Sequence, residues 1–346
     1  VSDRIERLRE LLEEPLLVTN LVNVRYLTGF DSSNAALLVE PDRVRLFTDF
    51  RYIETARAVD SVEPVQTKRS LIGWLAENLS GRFGFEANVL PWSFAEQLRE
   101  GGIELVPRQG LVEQLRAVKD EGELETFRRA CEITDRMFER LVSEVPFVGR
   151  RERDVAWDIA RLYHEEGADE PAFEAIVGSG PTGARPHARA GDRVIGSGEL
   201  VVIDTGAHVA GYCSDYTRTF ATGELDGELR EAYDVVRAAQ QAGLDAIRSG
   251  ESGLDVDAAA RGVIEGSDFA GTFGHGLGHG LGLDVHEAPR LSTESTDTLA
   301  AGNVVTVEPG VYLEGRFGIR IEDDVIVTEQ GIENPVGFTK ELLTVD

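Results

Sequence analysis

Four carboxylates stand at the ends of apolar runs or inside them, where an unpaired charge is costly, and they constrain the fold more than any other feature. Asp204 closes the strand-like run in VVIDTG, and Glu308 closes VVTVEPG in the same manner. Asp215 follows in GYCSDYTRTF, which reads as the adjacent antiparallel strand. Glu322 lies within GIRIEDDVIV, where strand alternation sets Ile319 and Ile321 on one side and Arg320 and Glu322 on the other. One such acid alone is usually a strand end meeting solvent. Four together must be ion-paired or metal-bound.

The histidines narrow that choice. Only six exist, and His275, His279 and His286 crowd into GHGLGHGLGLDVHE. A glycine-rich run by itself reads equally well as a turn. Within this run neither GxGxxG nor the Walker pattern is present, and the zincin HExxH is absent from the chain. Glycines here let backbone come close to a centre that several imidazoles surround. Four strand acids beside this cluster point to a metal centre.

At 346 residues the chain is long enough for two domains of unequal size. The first ~110 residues alternate short strands (Leu16 to Val18, Ala35 to Val39, Val44 to Phe47) with helices around Ile5 to Leu12, Arg51 to Val59 and Ser93 to Arg99. A boundary falls between Pro107 and Asp120, which divides the chain into an α/β domain at 1–114 and an α+β domain at 115–346. Leu124, Phe127, Cys131, Thr134, Phe138 and Leu141 form one stripe of a helix that stops before Pro146. Two more helices carry Val155, Ile159 and Leu162, and then Leu229 to Ile247. Strands are expected at Leu200 to Asp204, Tyr212 to Phe220, Asn303 to Val307 and Gly318 to Val327. Cys131 reads as a buried small residue, and with Cys213 it forms no CxxC, so neither a disulfide framework nor a thiolate zinc site is supported.

Asp and Glu total 62 against 35 Lys and Arg, a net charge of −27, and only Lys68, Lys119 and Lys340 are lysines. Such a field repels nucleic acid and anionic membranes, which excludes both as partners. No run approaches the ~18 apolar residues of a membrane span, and the opening VSDRIERLRE lacks the apolar core of a secretory signal. A soluble, cytoplasmic protein is expected. The acidic, lysine-poor composition resembles that of salt-loving archaea, so we expect adaptation to high intracellular salt.

The ordered motifs IDTG, SDYTRTF, GHGLGHGLGLDVHEAPRLS, TVEPGVY and GIRIEDDVIV, following the helix that LRAVKDEGELE opens, resemble the pita-bread metallopeptidase family M24. TNLVNVRYLTGFDSSNAALLV and LFTDFRYIETA resemble the creatinase-type amino-terminal domain of its proline-directed branch, the Xaa-Pro dipeptidases (prolidases) and aminopeptidases P. The resemblance implies a creatinase-like domain at 1–114 and a pita-bread catalytic domain at 115–346. It implies five metal ligands: Asp204 on one cation, His279 and Glu308 on the other, and Asp215 and Glu322 bridging the pair. This oxygen-rich set favours two Mn²⁺ ions over a tetrahedral zinc site, with Co²⁺ able to substitute. It further implies that His187 and His286 contact the substrate and stabilise the tetrahedral intermediate, and that His275 lines the pocket. Arg290 would lie near the substrate carboxylate, and Arg320 would buttress the metal carboxylates.

The implied reaction is hydrolysis of Xaa-Pro dipeptides by a hydroxide shared between the cations, with Glu308 carrying the proton to the proline nitrogen. Rival readings are an aminopeptidase P acting on longer Xaa-Pro-Yaa peptides, a metal-free relative such as creatinase, and a non-catalytic peptide-binding homologue. The intact ligand types argue against the last two. The family usually forms homodimers. His164 and His208 have no counterpart and read as surface or structural.

Overall fold

The computed structural model describes residues 2–346, which divide into two compact units, one reaching to Arg116 and the other Ala117–Asp346. The first unit carries helices α1 (Ser2–Arg9), α2 (Leu21–Thr28), α3 (Ile53–Ala56), α4 (Leu71–Asn78), α5 (Trp92–Glu100) and the start of α6 (Glu113–Ala117). Its strands β1 (Leu16–Val18), β2 (Ala35–Val39), β3 (Val44–Thr48), β4 (Glu63–Gln66), β5 (Gly81–Glu86) and β6 (Ile103–Arg108) form one sheet in the order β4-β3-β2-β1-β5-β6. β1 meets β2 antiparallel and β5 parallel, so the sheet is mixed. Leu17, Leu38, Phe47, Leu75 and Leu98 close its core.

Two sequence expectations need correction in this unit. The helix expected from Arg51 to Val59 is only the single turn Ile53–Ala56; ahead of it Asp49 accepts the Arg51 N–H at 2.9 Å and its guanidinium at 2.9 and 2.7 Å. Helices α2 and α4 lie where none was expected. α2 is capped by Asn20, whose side chain accepts the Val22 N–H, and ends at Gly29 with φ 72°.

In the second unit, α7 (Glu121–Glu144) is the longest helix. Asp120 and Glu123 form a reciprocal capping box at its start, and the stripe from Leu124 to Leu141 is buried. The helix ends at Val145, before Pro146. α7 packs on α8 (Glu152–Glu166), while α9 (Gly227–Ala246) packs on α10 (Gly253–Glu265). Strands run β7 (Glu170–Pro171), β8 (Ile176–Ser179), β9 (Leu200–Thr205), β10 (Ala207–Val209), β11 (Tyr212–Cys213), β12 (Tyr216–Ala221), β13 (Gly278–Gly280), β14 (Glu287–Leu291), β15 (Val304–Val307), β16 (Gly310–Leu313), β17 (Phe317–Arg320), β18 (Asp323–Val327) and β19 (Ile332–Glu333). The sheets read β11-β10-β7, β12-β9-β8, β14-β13-β15-β18-β19 and β16-β17.

Each helix pair seals one core. Val155, Ile159 and Leu162 of α8 and Phe138 of α7 meet Val201, Ile203 and Phe220 of the strands, with Phe138 stacked on Tyr216 at 5.4 Å and Phe338 at 5.2 Å. Val236, Ala239 and Leu244 of α9 meet Val305, Val307, Ile319 and Val325. At ~1.5–3 kcal/mol for each fully buried large apolar side chain, these two cores hold the strands firmly enough to carry charges between them.

Two expected strands are in fact broken, and both breaks matter. Tyr212 to Phe220 divides into β11, paired to β10, and β12, paired to β9, leaving Ser214 and Asp215 between. Gly318 to Val327 divides into β17, paired to β16, and β18, paired to β15, leaving Ile321 and Glu322 between. Each chain segment changes its pairing partner at an acid. Simple alternation of faces therefore fails there, and Ile319, Arg320, Ile321 and Glu322 are all buried.

Candidate metal centre

Every site residue singled out from the sequence lines one cavity of about 770 Å³ in the second unit. Asp204, Asp215, His279, Glu308, Arg320 and Glu322 form its floor, and His187, His275, His286 and Arg290 surround it with Phe173, Ile176, Val285, Ser292 and Glu294. His187, His286 and Arg290 are exposed, whereas Asp204, Asp215, His279, Arg320 and Glu322 are buried. His164, exposed on α8, and His208, on β10 at 3.9 Å from Asp169, lie outside it.

Local backbone explains how β13 reaches the floor. A Cβ on Gly278 would lie 1.9 Å from the Thr306 carbonyl oxygen, and one on Gly280 would lie 2.1 Å from that of Ala288. Glycine is required because β13 is pressed between β14 and β15, so the close approach is strand to strand and His279 is delivered by it. Behind the histidine run, Asp257 of α10 accepts the Leu277 N–H at 3.0 Å. Arg261, paired to Asp257 at 2.7 and 2.8 Å, donates to the carbonyls of Phe273 and His275, each at 2.7 Å.

The donor atoms converge. Asp215, His279 and Glu322 each offer an atom within 4.8 Å of the others. His279 Nε2 lies 3.4 Å from Glu308 Oε1 and 3.8 Å from Asp215 Oδ2. Its Nδ1 meets the Gly280 carbonyl at 3.1 Å, which makes Nδ1 the protonated nitrogen and turns the Nε2 lone pair toward the carboxylates. Burial, with the neighbouring His286 adding to it, pushes His279 down to about 4 and keeps it neutral. An imidazole lone pair facing two carboxylates is repulsive unless a cation or a carboxyl proton stands between them.

The acids carry the same message. Asp215 and Glu322 are pushed well above the usual carboxylate range, first by burial and then by repulsion from neighbouring acids, Glu322 acting on Asp215 and Glu308 on Glu322. Glu308 is pushed up to about 8, by burial before anything else. Asp204 Oδ1 is buried and has no protein partner, while Oδ2 accepts from Arg320 Nη2 at 2.5 Å. An orphaned oxygen at this depth costs ~1–3 kcal/mol unless something else satisfies it. Oxygen-rich donors of this kind suit hard divalent cations.

Residues that the sequence reading missed hold these donors in place. Thr217 Oγ1 donates to Glu322 Oε2 at 2.6 Å and accepts from Arg320 Nε at 2.9 Å. Arg218, fully buried and paired to Asp323 at 2.9 Å, donates to the Glu322 carbonyl at 2.5 Å. Asp324 accepts the Asp215 N–H at 2.8 Å. Tyr312 accepts from Arg320 Nη1 at 2.9 Å and donates to His275 Nε2 at 2.9 Å, since Nδ1 of that ring donates to the Gly276 carbonyl at 2.8 Å. Burial and the Arg320 charge keep His275 neutral, at about 4. An arginine between two aromatic-rich strand positions, as in YTRTF, was the one available sign.

Residues 125–329 match the model of metallopeptidase family M24, and residues 4–118 match the creatinase/prolidase N-terminal domain. The chain is 33% identical over 351 residues to an Xaa-Pro dipeptidase of Pyrococcus furiosus, covering 99% of this chain and all of that one. It superposes on the structure of an Xaa-Pro dipeptidase from Bacillus anthracis with a TM-score of 0.96 at 37% identity, covering 99% of each chain. An X-Pro aminopeptidase from Thermotoga maritima superposes with a TM-score of 0.89 at 33% identity, covering 98% of this chain and 100% of that one.

Proposed function

The chain belongs to metallopeptidase family M24, with a creatinase-type amino-terminal domain ahead of a pita-bread domain, and from that premise we propose that it hydrolyses Xaa-Pro dipeptides using two divalent cations. One observation carries the reading: four carboxylates and one neutral imidazole, Asp204, Asp215, His279, Glu308 and Glu322, converge on a single cavity. Asp204 would serve one cation, His279 and Glu308 the other, and Asp215 and Glu322 both. The buried, unpartnered Asp204 Oδ1 and the Nε2 lone pair of His279 fit this set. Mn²⁺ suits it best, and Co²⁺ would substitute.

Cations held there supply Lewis acidity, which lowers the pKa of a bound water and polarises a peptide carbonyl. The side chains do the rest. Glu308 moves the proton, taking it from the attacking water and delivering it to the proline nitrogen, which otherwise leaves as a poor amide anion. His187 and His286, at the cavity mouth, bind the substrate and donate to the oxygen on which negative charge develops. Phe173, Ile176 and Val285 give the cavity an apolar wall for a prolyl ring, and an Xaa-Pro amide has no N–H to be read. Arg290 receives the substrate carboxylate, which favours dipeptides.

A second reading, aminopeptidase P, is favoured by the full-length similarity to the Thermotoga X-Pro aminopeptidase. The two separate in one assay: protein in molar salt with Mn²⁺ is given an Xaa-Pro dipeptide, an Xaa-Pro-Yaa tripeptide and a Met-Ala peptide, beside a chelated control. The proposal expects preferred cleavage of the dipeptide and silence in the control. Preference for the tripeptide would move the assignment to aminopeptidase P, and cleavage of Met-Ala alone would overturn the proline specificity.

A further inference from the structure

Glu152 is a carboxylate that the metal site does not use. It opens α8, is 1% exposed, and stands behind the segment that carries His187 rather than in the cavity. Its Oε1 accepts the Ser179 N–H at 2.9 Å and the Ser179 hydroxyl at 2.8 Å, with the Thr182 hydroxyl against the same oxygen. Oε2 accepts the Gly191 N–H at 3.3 Å. One side chain thus grips both the entry and the exit of residues 180–190.

The surrounding backbone makes the grip a clamp. The Glu152 N–H donates to the Arg193 carbonyl at 3.0 Å, and the Arg153 N–H donates to that of Gly191 at 3.1 Å, so the exit is zipped to the start of α8. Arg193 donates to the Ser179 hydroxyl and pairs with Glu199 through two bonds of 2.7 Å, which places positive charge beside the buried carboxylate. At the tip, Arg320 Nη1 donates to the Pro186 carbonyl at 3.2 Å, one residue before His187. The loop is therefore fixed at its base by Glu152 and at its tip by the arginine that also holds Asp204.

We infer that Glu152 is a positioning residue, setting the His187 imidazole at the cavity mouth by clamping both ends of its loop. This rests on the proposed role of His187 in the reaction. Every group facing Glu152 Oε1 and Oε2 is an N–H or a hydroxyl, so Glu152→Gln sets an amide against at least one donor. The expected result is a fall in kcat of about 10- to 100-fold on the Xaa-Pro dipeptide, with KM and bound metal within about twofold. Trypsin should cut faster after Arg189, reporting the freed loop directly. In a His187→Ala background the same substitution should cost less than about twofold more, because both act through one imidazole.

An equal loss in both backgrounds, an unchanged kcat, or loop cleavage as slow as in the parent would overturn the inference. If Glu152→Gln does not fold, Thr182→Val removes one hydroxyl from the clamp and is judged by the same outcomes. Failure of the functional reading shows separately, as a His187→Ala single variant with unchanged kcat, and the inference falls with it.

Discussion

Arg320 does more than any other single side chain around the cavity. It is 3% exposed and divides its donors among Asp204, Thr217, Tyr312 and the Pro186 carbonyl. Only a planar guanidinium reaches four acceptors in these directions; an ammonium on a shorter reach keeps one or two. Arg320→Lys should therefore keep the fold and the charge yet lose about 10- to 100-fold in kcat or in metal affinity, measured by steady-state kinetics and metal titration. A variant with parental kinetics would mean that the arginine only balances charge. From the sequence, Arg320 was expected as a buttress through the family resemblance. Tyr312 and Thr217 were not, because a hydroxyl next to apolar residues looks like ordinary packing until its partner is seen.

Among the elements, β13 is the most constrained. Gly278→Ala puts a methyl 1.9 Å from the Thr306 carbonyl oxygen, so β13 and β15 must separate and carry His279 and Glu308 apart. Overpacking of this kind costs about 3 kcal/mol or more, and a lowered melting temperature with weakened metal binding should follow. Retention of both would show that the sheet has slack there. Such strand-to-strand contact was invisible in the sequence, where glycines beside histidines suggested approach to the metal site itself. Helix α7 was readable because its apolar stripe has an uninterrupted period. α10 was not, since its glycines and aspartates blur that period, although Ser252 caps it by accepting the N–H groups of Leu254 and Asp255. The breaks at Asp215 and Glu322 escaped notice for another reason. Apolar alternation runs straight through both, and only pairing with different neighbours interrupts the strands.

The whole molecule carries a net charge of −27 with three lysines among its basic residues. Some of its surface arginines bridge several acids; Arg140 touches Glu144, Glu165 and Glu166. Exposed pairs of this sort contribute roughly 0–1 kcal/mol each, too little to offset the repulsion of the remaining acids in dilute buffer. Since the Debye length falls to ~3 Å at 1 M salt, the melting temperature should rise by several degrees between about 0.1 M and about 2 M KCl. A flat or falling curve would remove the case for adaptation to high salt. Repulsion also reaches the cavity floor, where Asp204, Asp215, Glu308 and Glu322 meet, so bound cations should raise stability as well as serve the proposed reaction. Titrating chelated protein with Mn²⁺ by calorimetry, while dipeptide hydrolysis is followed in the same samples, bears on this most directly. Two Mn²⁺ ions per chain should bind, with hydrolysis absent before the titration and rising with occupancy. Full activity in the chelated protein, or activity that ignores the binding curve, would contradict the account.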